Sequence, residues 1–214
     1  APFNQIGLLG NGKPITSNEV QVTSPGRNST DLFIGSTNSQ YIVPVDFTTG
    51  MVGAPVRLPY VPNSMVISDD GSTIYMGSSV ELMTFSALNN SLSNQDPSIT
   101  GTVLAVSPDN TMVVITDPIR KFVYLYKASG GVTTQYGGVG THAEFSPDDT
   151  TVYITMGNVN APANADGTCS TTGDVNIAGQ CVTPNNQALV HSTNTGWYQT
   201  SSSANTTDVA VTVP

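Results

Sequence analysis

Charge is scarce in this sequence. Asp, Glu, Lys and Arg together make up 10% of its 214 residues, whereas about a quarter is usual in globular domains. Lys and Arg number six against 15 Asp and Glu, so the formal net charge at pH 7 is −9. Six cations are too few to neutralise a nucleic-acid backbone, and an acidic surface is repelled by anionic membranes. We therefore expect no nucleic-acid partner.

Long apolar runs and catalytic signatures are also missing. No stretch approaches the roughly 18 apolar residues that cross a bilayer as a helix, so we expect no membrane insertion. The sequence has no Gly-x-Ser-x-Gly elbow, no phosphate-binding loop and no His-Glu-x-x-His motif. Its two histidines are too few for a three-histidine metal site within one chain. We predict no cofactor and no metal.

The sequence contains only two cysteines. Cys169 and Cys181 enclose a polar segment that includes Gly173 and Gly179. Such a segment favours a loop closed by a disulfide, and the alternative is a pair of free thiols in a cytosolic protein. A disulfide is stable in oxidising compartments. A disulfide between Cys169 and Cys181 therefore predicts an extracellular, cell-surface or periplasmic location.

A repeat dominates what the sequence does contain. Apolar residues run into a Ser-(Asp or Pro)-Asp turn at Ser68, at Ser107 and at Ser146, so that the turns are 39 residues apart twice in succession. A period of about 40 built from short strands is typical of propeller blades. We therefore predict an all-β fold, made of β-propeller blades of four antiparallel strands.

The blades fill most of the chain. About four are expected, within one domain over residues 1–214, and single strands over Phe3–Lys13 and Asp208–Val213 flank them. The fourth blade is interrupted by a segment at about 156–186 that carries both cysteines. We predict that this segment is a disulfide-closed insertion.

The repeat resembles a known family. Ser-Pro-Asp turns followed by Val-Tyr-Ile-Thr and Val-Tyr-Leu-Tyr strands, best developed over residues 62–155, are similar to the YVTN and lactonase-like group of seven-bladed propellers. The resemblance implies a propeller fold. It does not imply one activity, because members of that group range from sugar lactonases to cell-surface and structural proteins.

The number of blades leads to a further expectation. Four blades fall short of the seven that the resemblance implies, and an incomplete ring leaves strand edges open to pairing. We therefore expect the chain to be part of a longer protein, or to close its ring or extend an assembly against another protein or a second copy of itself.

Candidate catalytic side chains are few. His142 and Glu144 are two residues apart on a predicted strand, so that both side chains point to the same face. Asp117 and Arg120 belong to a turn that the propeller pattern places at the channel mouth. The His142–Glu144 pair could be a general acid and base or half of a metal site, but a solvent-facing or hydrogen-bonded pair without chemistry is the more common case. With Asp117 and Arg120, the pair would form the site of a lactonase-like hydrolase or isomerase.

The acidic turns and the aromatic residues also have two interpretations. Asp69-Asp70, Asp109-Asn110 and Asp148-Asp149 offer the oxygens that calcium prefers, but Asp and Asn are also what tight turns require. We favour turns. Tyr75, Tyr124 and Tyr153 recur at strand positions, and we expect them to pack between blades rather than to bind sugars.

The function that these observations favour is that of an exported, non-enzymatic β-propeller module, acting as a structural or binding unit of a surface protein or assembly. The disulfide-bearing insertion is its best functional pointer, because the pattern places it over the face where propellers bind ligands. The alternative is a loop that only shields the channel. A lactonase-like enzyme and a fragment of a larger surface protein remain the other two interpretations.

Overall fold

The computed structural model describes residues 19–22 and 31–201. Regular structure in this part of the chain is entirely β-strand, and it includes no helix long and apolar enough to cross a membrane. The chain divides into two compact units, Ala1–Thr100 and Gly101–Pro214. The single domain predicted over residues 1–214 stays a prediction.

The first unit contains two four-stranded antiparallel sheets, in each of which the strands pair in chain order. The first sheet consists of β1 Glu19–Val22, β2 Asp31–Ser36, β3 Ser39–Asp46 and β4 Val56–Arg57. The second sheet consists of β5 Ser64–Ile67, β6 Thr73–Gly77, β7 Leu82–Ser86 and β8 Ser91–Asp96.

These two sheets share an apolar core. Phe33 and Ile42 of the first sheet belong to the same buried cluster as Ile74 and Phe85 of the second. The Phe33 and Phe85 rings meet edge to face, with their centroids 6.0 Å apart, a geometry that aromatic pairs prefer. The cluster therefore holds the two blades of this unit together.

The second unit also has two antiparallel sheets. The third sheet consists of β9 Thr102–Val106, β10 Met112–Asp117, β11 Phe122–Lys127 and β12 Val132–Gly137. The fourth has five strands, β13 Val139–Phe145, β14 Thr151–Pro162, β15 Val175–Ile177, β16 Gln180–Ser192 and β17 Gly196–Ser201. Strands β15 and β17 pair with opposite ends of β16.

Sheets three and four share a second apolar core. Val114 and Leu125 from the third sheet are buried in one cluster with Ile154 and Leu189 from the fourth. A hydrogen bond from the Gly140 backbone amide to the buried Thr116 hydroxyl, 3.0 Å long, also joins the two sheets. Burial of this apolar surface is the main stabilising term of the unit.

The predicted period persists in the structure. Strands β6, β10 and β14 begin at Thr73, Met112 and Thr151, again 39 residues apart. The all-β fold of antiparallel blades is thus confirmed, with four strands in three of the sheets and five in the fourth. None of the four sheets closes on itself, which is consistent with blades of an incomplete propeller. The flanking strands expected over Phe3–Lys13 and Asp208–Val213 lie outside the described residues.

Two strand assignments differ from the sequence expectation. The sequence Ala-Pro-Val-Arg-Leu over residues 54–58 predicts a fourth strand for the first blade, but only Val56–Arg57 forms one, because the neighbouring Pro55 and Pro59 have no backbone N–H to donate. The segment that ends at Ile99 is polar, and its composition predicts no strand, but it contains β8. Most β8 side chains are exposed, so the strand shows no apolar alternation.

Candidate functional site

In the second and third sheets, the turn that joins the second and third strands lies at one end of the sheet, and a side chain closes it. In the second sheet the Ser78 hydroxyl accepts hydrogen bonds from the amides of Val80 and Glu81 at 3.1 and 2.9 Å. In the third sheet, 39 residues on, an oxygen of Asp117 accepts from the amides of Ile119 and Arg120, both at 2.9 Å. The two turns therefore use one design with different side chains.

Asp117 and Arg120 are indeed brought together. The Arg120 Nε atom lies 3.7 Å from Asp117 Oδ2, and Asp117 is 3% exposed whereas about half of the arginine side chain is exposed. Because one oxygen of Asp117 is occupied by the turn amides and the other faces the guanidinium, the pair completes the turn. Its geometry is that of a structural cap.

His142 and Glu144 lie on β13, as predicted, and share one face of it. His142 is opposite Thr155 and Glu144 is opposite Tyr153 in the β13–β14 register. Glu144 is exposed, whereas His142 is half-buried. The Gly140–Thr116 hydrogen bond places the start of β13 beside the end of β10. Glu144 is four residues after Gly140 on β13, which is about 13 Å at the usual rise per residue of a strand.

Glu144 is therefore separated along β13 from the turn that Asp117 and Arg120 complete. Asp117 and Arg120 cap a turn at one end of the sheet, whereas β13 carries Glu144 toward the opposite end. No described residues group three or more His, Cys, Asp or Glu side chains in a metal-binding arrangement.

The acidic turns have the structure that turn chemistry predicts. In all three, the serine hydroxyl donates to the aspartate two residues on at 2.6 Å, in the pairs Ser68–Asp70, Ser107–Asp109 and Ser146–Asp148. The same hydroxyl accepts the backbone N–H that opens the next strand, at 2.9–3.0 Å. These hydrogen bonds account for the motif as a turn.

Glu81 is a noteworthy residue that the motif search missed. It is 5% exposed, and its Oε1 atom has no hydrogen-bond partner among the described residues. Burial raises the pKa of this carboxyl above its ordinary value. Glu81 precedes Arg120 by one 39-residue period, so an alignment of the blades on the turn serines would have revealed it as an acid where the next blade has a base.

The cysteine-bearing segment is a β-hairpin rather than an irregular loop. We call residues 156–186 the disulfide hairpin. Strand β14 continues into it as far as Pro162, and β16 returns from Gln180, with pairing between Asn158 and Thr183 and between Pro162 and Gln180. Cys169 and Cys181 are bonded, as predicted.

A small apolar core joins the hairpin to β13. Ile177 and Val182 are buried with Val139, and Val159 packs against them. Strand β14 and strand β16 approach closely at Gly157, where a Cβ atom would lie 2.5 Å from Val182 Cγ1. Only glycine fits this position without a shift of the neighbours.

Polar side chains stabilise the hairpin on its outer side. The Asp174 carboxylate accepts hydrogen bonds from the Thr183 hydroxyl at 2.7 Å and from the Asn160 amide at 3.2 Å. Asn176 donates to the Gly167 carbonyl at 2.8 Å. The hairpin is thus an ordered projection, and Val175 remains 38% exposed on it.

The second histidine is a packing residue. His191 lies on β16, with its ring centroid 4.6 Å from that of Trp197 in an edge-to-face contact. Desolvation lowers the pKa of this imidazole below its ordinary value. The Trp197 indole N–H donates to the Thr134 hydroxyl at 2.9 Å. Trp197 therefore joins β17 to β12, and His191 packs against its ring.

Solved structures resemble this chain in fold. Hydrazine synthase from Kuenenia stuttgartiensis matches with a TM-score of 0.58 at 19% identity, covering 83% of this chain and 51% of that one. A functionally unknown protein from Desulfotomaculum acetoxidans DSM 771 matches with a TM-score of 0.55 at 14% identity, covering 81% and 62%. No protein-family model and no curated protein matches.

Both likenesses support a β-propeller-type fold, and at these identities they show the fold alone. The chain spans about half of one solved relative and about three fifths of the other.

Proposed function

We propose that this chain is a non-enzymatic β-propeller module of an exported or surface-located protein, and that the disulfide hairpin is its surface for binding a partner protein. The partner is another protein of the same assembly or a second copy of this chain. The module belongs, on this proposal, to the YVTN-like propellers that its Ser-Pro-Asp turns resemble.

One observation carries the proposal. The disulfide hairpin prolongs two strands of the fourth sheet, is anchored to β13 by an apolar core of Ile177, Val182 and Val139, and is closed by a covalent bond. Many side chains of the hairpin are exposed to solvent. An ordered projection with pre-set backbone geometry loses little conformational entropy when it binds, which favours recognition.

The disulfide also supports the location. A bond between Cys169 and Cys181 is compatible with an oxidising compartment such as the periplasm or the cell exterior. A lactonase-like activity at His142, Glu144, Asp117 and Arg120 has less support, because the Asp117–Arg120 pair completes a turn and Glu144 lies farther along β13.

The test is site-specific photo-crosslinking in the source cells. A photoreactive amino acid replaces Val175, which is 38% exposed on the hairpin, and in a matched control it replaces Val132, which is 40% exposed on β12. We expect one crosslinked protein from position 175 and none from position 132. The mass of the adduct tells a second copy of this chain from another protein.

Two outcomes would contradict the proposal. One is equal crosslinking from both positions, or none from position 175, when the protein is at its natural location. The other is turnover of a lactone by the purified chain that the His142→Ala variant loses while it stays folded.

A further inference from the structure

The fourth sheet has two faces, and only one of them packs against the third sheet. That face contributes Phe145, Ile154 and Leu189 to the core that the two sheets share. The side chains of the other face, which we call the outer face, alternate with these along each strand. One row of the outer face, directly opposite one another across β13, β14, β16 and β17, consists of Glu144, Tyr153, Val190 and Tyr198.

The corresponding face of the third sheet is covered by another sheet. Its row, which begins one 39-residue period before Glu144, consists of Ala105, Val114 and Leu125. All three side chains are at most 8% exposed, and all three belong to the core shared with the fourth sheet. The outer face therefore occupies the position of an interface between blades, and neither described sheet of the second unit covers it in this way.

The outer face is partly open to solvent and carries little charge. Tyr198 is 46% exposed, Glu144 is exposed and Tyr153 is half-buried. Tyrosine combines an apolar ring with a polar tip and is enriched at protein interfaces. The next row contains no further carboxylate, since it consists of His142, Thr155, Ala188 and Thr200. Two copies of a chain with a net charge of −9 can therefore approach each other here with little repulsion.

The row that begins with Glu144 is complementary to its own reverse. A two-fold axis parallel to the strands sets the first residue of the row against the fourth, and the second against the third. Tyr198 of one copy then faces Glu144 of the other, and the Tyr153 ring faces the aliphatic position of Val190. A phenolic hydroxyl is a donor and an ionised carboxylate is an acceptor, and hydrogen bonds to charged acceptors are the stronger ones.

We propose that the outer face of the fourth sheet binds the same face of a second copy of this chain, in a two-fold symmetric dimer. Such dimers are the commonest oligomers, and their interfaces pair one surface patch with itself. The two sheets pack face to face about 10 Å apart, as stacked antiparallel sheets do. This surface is additional to the disulfide hairpin, and its test does not depend on the hairpin.

The test is analytical ultracentrifugation of the purified chain with its disulfide intact. We expect a reversible equilibrium between monomer and dimer with a dissociation constant of about 10–100 µM, a value typical of a small interface. At about 1 µM, a usual concentration for unfolding titrations, the chain is then a monomer. Tyr198→Phe removes only the hydroxyl donor and should raise the dissociation constant about fivefold.

Charge reversal tests which residues face each other. Tyr198→Glu sets a carboxylate against Glu144 of the second copy and should raise the dissociation constant at least about tenfold. The double variant Tyr198→Glu with Glu144→Lys pairs opposite charges and should return the constant to within about threefold of the parent value. Within one copy the two positions are at opposite ends of the row, so a contact inside the monomer does not explain such a rescue. Tyr60→Glu, at a tyrosine 37% exposed in the other unit, is the matched control and should leave the equilibrium unchanged.

The proposal fails on any of three results. A chain that stays monomeric at about 0.5 mM has no dimer of this affinity. A dimer that survives Tyr198→Glu but is lost in Val175→Glu forms through the disulfide hairpin, which would support the proposed function and overturn this inference. A double variant that keeps the circular dichroism spectrum of the parent but does not recover the dimer would show that Glu144 and Tyr198 do not face each other.

Discussion

The hydroxyl of each turn serine has two roles, since it donates to an aspartate and accepts the amide that opens the next strand. Ser107 donates to Asp109 at 2.6 Å and accepts from the Met112 amide at 2.9 Å. It is 1% exposed, whereas Ser146, which makes the corresponding bonds one blade later, is half-buried. Water can replace a lost hydroxyl at Ser146 more easily than at Ser107.

We expect Ser107→Ala to lower the free energy of unfolding by about 1–2 kcal/mol, because it removes a buried hydroxyl and leaves the part-buried Met112 amide without this acceptor. Ser146→Ala should cost less than about 1 kcal/mol, since the partners there reach solvent. Urea titration of both variants measures the difference within one unit of the chain. Equal losses of unfolding free energy would mean that burial does not determine how much these hydrogen bonds stabilise the fold.

Glu81 offers a second test on a single side chain. Folding raises its pKa, so the fold binds the proton more tightly than the unfolded chain does, and stability falls as the pH rises from the ordinary pKa through the raised one. We expect Glu81→Gln to raise the free energy of unfolding at pH 7 by up to about 1 kcal/mol. The gain should vanish below about pH 4, where the carboxyl is neutral in both states.

Glu144→Gln is the matched control for that experiment, because Glu144 is exposed. It should change the stability little at either pH. A loss of stability in Glu81→Gln at pH 7 would show that the buried carboxylate has a favourable partner.

Among the structural elements, the disulfide hairpin depends on the close approach of β14 to β16. A Cβ atom at Gly157 would lie 2.5 Å from Val182 Cγ1, 2.8 Å from the Thr183 carbonyl oxygen and 3.0 Å from Thr141 Cγ2. At Gly137, the last residue of β12, nothing lies within 4 Å of the same atom.

We expect Gly157→Ala to lower the free energy of unfolding by about 1–3 kcal/mol, the usual cost of overpacking. Gly137→Ala should stay within about 0.5 kcal/mol of the parent. Thermal or urea unfolding of the two variants measures these differences in unfolding free energy. Faster hydrogen exchange at the amides of Val159 and Val182 in Gly157→Ala alone would locate the effect in the hairpin.

The elements differ in how far the sequence could predict them. The inner strands and their turns could be predicted, because Ser68, Ser107 and Ser146 mark a strict period and each precedes a buried strand. Strand β8 could not, since its exposed Ser, Asn and Gln side chains carry no alternation. The hairpin strands escaped prediction for a related reason, as β14 and β16 pass through Ala, Asn, Pro and Gln where pairing with each other decides the conformation.

The candidate sites show the same limit. The Cys169–Cys181 bond could be predicted, because two cysteines in one polar segment have few alternatives. The close approach of β14 to β16 at Gly157 in the disulfide hairpin could not, because it depends on the pairing of two strands that are distant in sequence. Contacts between residues distant in sequence are set by packing that local composition does not record.

At the scale of the whole molecule, hydroxyl and amide donors stabilise the carboxylates of several described aspartates. Such donors lower the pKa of Asp46, Asp148 and Asp166, the first cause in each being the hydroxyl of Thr48, Ser146 and Thr168 respectively. At Asp109 burial raises the pKa, but hydrogen bonds from Ser107 and Thr111 outweigh it and the pKa is lowered. Each group therefore favours the fold only while it is ionised.

We expect the protein to lose stability in acid for this reason. The contribution of these groups is complete above the unfolded pKa of aspartate, about 4, and is lost as the pH falls through their lower folded values. Urea unfolding at pH 6, 4 and about 2.5 measures the loss, and Asp109→Asn should make it smaller. Charge repulsion is a poor alternative cause, because the acidified chain has only six Lys and Arg and two His to repel one another. If added salt abolished the loss of stability in acid, charge repulsion would be its cause, and the hydrogen bonds of the turns would not.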